Sequence, residues 1–155
     1  MKVATKGITE KLAELRGMSE RLKDLTPAME AGAQAIVKHV SDRFRSATDP
    51  EGKPWAPLAA STVARRRKRS DRILQDTGIL KNSITATSNA KSITFGTNVP
   101  YAGPHQFGTR KMPRRAFLPV GLDGKSFPDV GPAKALVDRI ARYIRAYVMT
   151  GKVTG

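Results

Sequence analysis

The placement of proline and glycine limits this chain's fold more than any other feature. Residues 47–57, ATDPEGKPWAP, hold three prolines and a glycine, and residues 98–131 are again rich in both. Proline fixes φ and lacks a backbone N–H, so neither stretch can run as a long helix or a central strand. Regular structure is therefore confined to the two ends and a short middle. Near the N-terminus Ile8, Leu12, Leu15, Met18, Leu22 and Leu25 recur every three or four residues, which predicts one helical stripe with Glu10, Lys11, Glu14, Arg21 and Lys23 outside it. Thr26-Pro27 interrupts the pattern. Thr26 is suited to cap a second helix and Pro27 to its first turn. That second helix carries Met29, Ala33, Ile36, Val37, Val40 and Phe44, so the first third reads as a helical hairpin or a helix kinked at Pro27.

The middle holds shorter pieces. LAASTVARRRKR, residues 58–69, predicts a short helix ending in five consecutive bases. Thr77-Gly78 reads as a turn. LKNSITATS then alternates, with Leu80, Ile84 and Ala86 on one face, and KSITFGT alternates again with Ile93 and Phe95. Two alternating runs around an Asn-containing turn predict an antiparallel hairpin with one face covered by helices. RRAFLPV predicts an additional strand. Pro132 opens a last helix, residues 132–149, with Leu136, Val137, Ile140, Tyr143, Ile144, Tyr147 and Val148 as its core face and Arg139, Arg142 and Arg145 opposite. The fold class is α+β: an N-terminal helical part (1–46), a loop-rich β core (47–131), a long C-terminal helix and a short tail (150–155), in one domain. A chain of 155 residues is enough for one modest core. Trp55, the only tryptophan, lies between Pro54 and Pro57. It reads as an anchor pinning its loop to the core, or as a contact with another subunit.

Charge bounds the partners. Lys and Arg total 28 against 13 acids, a formal charge of +15, which points to a polyanionic partner or to an acidic protein. At helical spacing the five bases Arg65, Arg66, Arg67, Lys68 and Arg69 cover every face, so that end must meet solvent or something negative. Neither 65–72 nor 110–115 interleaves aromatics as a base-stacking surface does, so any DNA contact is expected to be with phosphates. No apolar run is long enough for a membrane span, and the N-terminus lacks the apolar core of a secretory signal.

Little in the chain suggests chemistry. There are no cysteines and only two histidines, which removes disulfides, thiolate nucleophiles and His-rich metal sites. No phosphate-binding loop, dinucleotide fingerprint or HExxH is present, and no pair of the scattered acids is spaced for acid–base work. His105 lacks a named nucleophile and orienting group, and its neighbours Pro104, Phe107 and Gly108 suggest a hydrogen-bonding corner. His39, beside Val40 on the second helix, reads as structural. No enzyme activity, cofactor or metal is expected.

An ordered set of motifs resembles a known family. EGKPWAPLAAST carries Gly-x-x-Trp-x-x-Leu followed by Thr. ILQDTGILKNSI carries Leu-x-x-Thr-Gly-x-Leu. FGTNVPYAGPHQFG carries Gly-Thr, Tyr-Ala and His-Gln-x-Gly, and PRRAFLPV is similar to Pro-x-Arg-x-Phe-Leu. Together, over about residues 45–120, they resemble the phage virion morphogenesis or tail-completion proteins of the Mu and P2 type, and more distantly the head–tail connector proteins. The resemblance implies an α+β fold, a structural and non-catalytic role completing the tail or joining it to the head at the neck, and a hexameric ring around the DNA channel. Implied partners are other copies of the chain, connector or portal-side proteins, tail-tube or tail-terminator proteins, and genomic DNA through its phosphates. The implied location is the virion, with assembly in the host cytoplasm. On that reading Trp55, Tyr101, His105, Gln106, Phe107, Arg115 and Phe117 are candidates for the subunit or partner interface. Arg65 to Arg69, or Arg139, Arg142 and Arg145, are candidates for the channel lining or for docking on an acidic partner. Gly103-Pro104 departs from the family pattern and is expected to shorten or shift the local helix. The rival reading is a basic nucleic-acid-binding protein acting on phage DNA in packaging or regulation.

Overall fold

A computed structural model of the chain describes residues 6–66 and 70–154. The elements run α1 (Lys6–Lys23), α2 (Thr26–Ser46), α3 (Ala60–Arg65), α4 (Ile79–Asn82), β1 (Thr85–Ser88), β2 (Ile93–Gly96), α5 (Ala102–Phe107) and α6 (Gly131–Thr150). The result is an α+β fold with a two-stranded antiparallel sheet and a long C-terminal helix.

Helix α2 is the hub. Its small residues Ala28, Gly32, Ala33 and Ala35 are buried, and they let β1, β2 and α6 approach closely. A Cβ on Gly32 would stand 2.7 Å from Ile93 Cδ1 and 3.4 Å from Ile140 Cγ2, so hairpin and helix both close on that one glycine. Around it, Ala35, Ile36 and Leu136 form one apolar cluster, joined by Ile93, Phe95, Ile140 and Tyr143. Further along α2, Val40 and Phe44 join a second cluster with Trp55, Leu74, Leu80, Ile84, Ala102 and Phe117. This second cluster holds the loops.

Thr26 is not the cap of α2. It is the helix's first residue, behind a cap position filled by Leu25, and the Asp24 carboxylate accepts the Thr26 N–H at 2.9 Å. Hydrogen bonds from Thr26 hold the Asp24 carboxyl below its ordinary value. Pro27 lies in the first turn, where its missing N–H costs nothing. After the break at Asp24–Leu25, α1 packs against α6. Arg21 makes that contact, donating from Nε to Val148 O (2.7 Å) and from Nη2 to Met149 O (3.2 Å). Helix α6 carries no basic residue in its own last turn, so Arg21 supplies the cation that its terminal carbonyls favour.

The hairpin is shorter than its alternating pattern. Leu80 and Ile84 are buried as expected, but residues 79–82 form the turn of helix α4, and pairing runs only from Thr85 opposite Gly96 to Ser88 opposite Ile93. The Asn89 side chain closes the turn by accepting the N–H groups of Lys91 and Ser92. RRAFLPV is not a strand: residues 114–120 join no sheet.

The start of α6 is docked on the loop after α2. The N–H of Ala133 donates to Pro50 O at 2.9 Å. Gly131 has φ +60°, and a side chain there would collide with the Glu51 carbonyl.

Candidate functional site

The family-like motifs converge on one place, the join between the Trp55 loop, α5 and residues 114–118. The loop leaves α2 through Ala47, whose φ of 52° turns the chain back, and Trp55 N–H donates to Ala47 O at 2.8 Å. That seats Trp55 on Phe44 edge-to-face, with centroids 5.6 Å apart, while Phe117 meets the same Phe44 at 5.5 Å. Burying an indole strands its N–H unless a partner is found, and here Nε1 donates to Ala116 O at 2.7 Å.

Gln106 does for residues 114–120 what a neighbouring strand would do. It is 2% exposed. Its Oε1 accepts the N–H groups of Phe117 and Leu118, both at 3.0 Å, and its Nε2 donates to Leu118 O at 3.1 Å, with Val120 O at 3.5 Å. One amide side chain thus satisfies buried backbone groups that no sheet reaches. Arg115 completes the stitching: its N–H donates to His105 O, Nε to Ala56 O and Nη2 to Pro57 O, each at 2.8 Å. Gly108 ends α5 at φ 78° and ψ 173°, a conformation reserved for glycine, and a Cβ there would stand 3.0 Å from Arg114 N. The Gln and Gly of His-Gln-x-Gly therefore have separate structural duties. Pro104 is accommodated because α5 is only six residues long and the proline lies in its first turn.

The structure divides the sequence-predicted interface residues. Trp55, Gln106, Arg115 and Phe117 are buried within their own chain. Tyr101 and Phe107 are exposed and His105 is half-buried on the same short helix, with Tyr101 edge-on to His105. The hydrogen-bonding role expected of the His105 ring is not seen, since Nδ1 is buried without a partner and only the main-chain carbonyl is engaged. Burial, then the charges of Arg115 and Arg66, lower the His105 pKa and favour the neutral ring.

The basic candidates are separated. Arg65 is exposed, and Arg66 lies close enough to lower the pKa of both His105 and Arg115. Arg67, Lys68 and Arg69 lie outside the described residues. Arg139, Arg142 and Arg145 are exposed along α6. Among the described residues no three His, Cys, Asp or Glu side chains gather as metal ligands, and no helix is long and apolar enough to cross a membrane.

Sequence reasoning missed Gln75, whose Nε2 donates to Phe44 O at 2.7 Å and holds the segment before α4 to the end of α2. It also missed the uncovered state of α1. Ile8, Leu12, Leu15 and Leu22 are 61%, 48%, 59% and 57% exposed. The helical stripe was legible, but the exposure of these four residues was not.

Residues 3–130 match the phage virion morphogenesis family. The chain belongs to that family. No curated protein and no solved structure matches it. Membership gives the chain a structural part in building a phage virion, and it gives the convergent motifs a meaning. In this member of the family they are the residues that close the loop-rich half of the fold.

Proposed function

We propose that this chain completes the tail or joins head to tail at the neck, as one subunit of a ring, hexameric in the simplest arrangement, around the path of the DNA. The observation that carries the reading is the mismatch between inside and outside. Most of the family-motif residues serve the chain's own core, while α1 presents an exposed apolar row and α5 with its cap presents Tyr101 and Phe107. Such surfaces suit burial between subunits, where apolar anchors sit inside a polar rim. The neighbours are other copies of the chain, connector or portal-side proteins and tail-tube or tail-terminator proteins. Arg139, Arg142 and Arg145 face DNA phosphates or an acidic ring. No catalytic step belongs to this role.

A ring of subunits that each carry +15 repels itself. Purified protein should therefore close into rings more readily as salt rises, as measured by gel filtration. Rings equally stable at low and high salt would count against this. The direct test is imaging of particles assembled without the chain. Filled heads beside finished free tails are expected, and normal virions would overturn the reading. If the free monomer instead binds duplex DNA with a steep salt slope and virions remain complete, the packaging or regulatory reading takes its place.

A further inference from the structure

Between α2 and the start of α6 lies a cavity of about 160 Å³, lined by His39, Asp42, Arg43, Pro132, Leu136 and Arg139 among others. Three of its polar atoms lack a hydrogen bond: His39 Nε2, Arg43 Nε and Asp42 Oδ1. His39 is 8% exposed, and its Nε2 is buried with no hydrogen-bond partner. Arg43 Nε is likewise buried and unpartnered, although Nη1 of the same guanidinium donates to Thr48 Oγ1 at 2.9 Å. Buried polar atoms are nearly always paired, so three orphans around one cavity call for an occupant.

The charges say what kind. Asp42 is the only acid in the lining: Lys38 Nζ stands 3.0 Å from Oδ2 and Arg45 Nη1 is 3.3 Å from Oδ1, which accepts no hydrogen bond. The lining therefore sets two guanidiniums, Arg43 and Arg139, against one carboxylate that Lys38 and Arg45 also share. Water could fill the space, since the volume equals about five water molecules, and it would satisfy hydrogen bonds but not charge. An oxyanion satisfies both, accepting from Arg43 Nε, from Arg139 and from His39 Nε2–H.

We propose that this cavity is a phosphate-group site, holding either free phosphate or one phosphate of a nucleic-acid backbone. Such a ligand bridges α2 to α6 through residues that the family match only partly covers, since Arg139 lies beyond it. The groups facing His39 are Asp42 and Arg43 on its own helix and Arg139 on α6. Burial and the two arginines favour the neutral ring when the site is empty, and a bound anion favours the charged one.

The test uses the full chain in phosphate-free buffer, titrated with sodium phosphate against sodium chloride at matched ionic strength. Thermal unfolding and the His39 imidazole ¹⁵N resonances are followed together. The expected result is a phosphate-specific Tm rise of roughly 4 °C at about 20-fold above Kd, with the His39 resonances moving in step. Arg139→Gln, an exposed position, should remove most of the response, while Lys91→Gln in the exposed hairpin turn keeps it. A short DNA duplex that moves the same His39 resonances identifies a backbone phosphate as the natural ligand, and a duplex that leaves them still identifies the free ion. A response equal to that of chloride, or one undiminished in Arg139→Gln, overturns the site.

Discussion

At the scale of single residues, the side chain that matters most is an amide. Gln106 bonds the backbone of Phe117 and Leu118 from a position 2% exposed, and both N–H groups lose their partner if it is truncated. Gln106→Ala should therefore destabilise the fold by about 3 kcal/mol in urea unfolding, more than a surface change would. The sequence drew attention to its neighbour His105, because histidine has a pKa that suits catalysis and glutamine does not. Nothing in a string of letters distinguishes a glutamine that replaces a missing strand. Its partners lie 11 and 12 residues further on, and the pattern of RRAFLPV itself suggests a strand. Trp55 was more legible, since a lone tryptophan between prolines has few fates other than anchoring its loop. His39 gives a second residue-scale test. Burial first, then Arg43, push its pKa down to about 4, below the ordinary 6.5. The unfolded chain therefore takes up the proton first as the pH falls. Stability from the neutral ring is full above pH 6.5 and declines toward pH 4, by about 3 kcal/mol in total. Urea midpoints measured across that window in phosphate-free buffer should show the slope, and His39→Leu should flatten it.

Among the elements, helices were legible where their apolar stripe is long, and strands were overcalled. Helices α1, α2 and α6 fall close to where their spacing puts them, because a three-to-four repeat over some twenty residues has few other readings. The hairpin shrank to four residues a side because Gly78, at φ 78°, starts a turn of helix instead of an extended run. What spacing could not show is which helix meets which. Arg21, read as an outward charge on α1, is the link to the end of α6. Arg21→Ala should release α1 without unfolding the rest. The expected signature is faster amide exchange in residues 8–22 with the global midpoint lowered by only about 1 kcal/mol. The start of α6 behaves oppositely. Gly131→Ala sets a Cβ against the Glu51 carbonyl at a positive φ, and should cost about 2 kcal/mol of global stability in the same urea assay.

For the whole molecule, most family-motif residues lie apart from the proposed assembly surfaces, with exposed Tyr101 of the Tyr-Ala pair belonging to both. The motifs close the core around Phe44, Trp55 and Phe117, which explains why an ordered set of weak signals identified the family and said little about its contacts. The proposed surfaces are the α1 row, the exposed side of α5 and the arginines of α6, and these are legible in sequence only as stripe and charge. One complementation measurement separates the two most directly. Particles assembled without the chain are supplied with His105→Ala protein or with protein carrying Leu12→Asp and Leu15→Asp, and completed virions are counted by electron microscopy. Both variants should unfold at the wild-type urea midpoint, because His105 Nδ1 has no partner and the two leucines are exposed. The expected result is that His105→Ala restores completed virions and the α1 variant leaves heads and tails apart. Full assembly with the α1 variant and none with His105→Ala would contradict it.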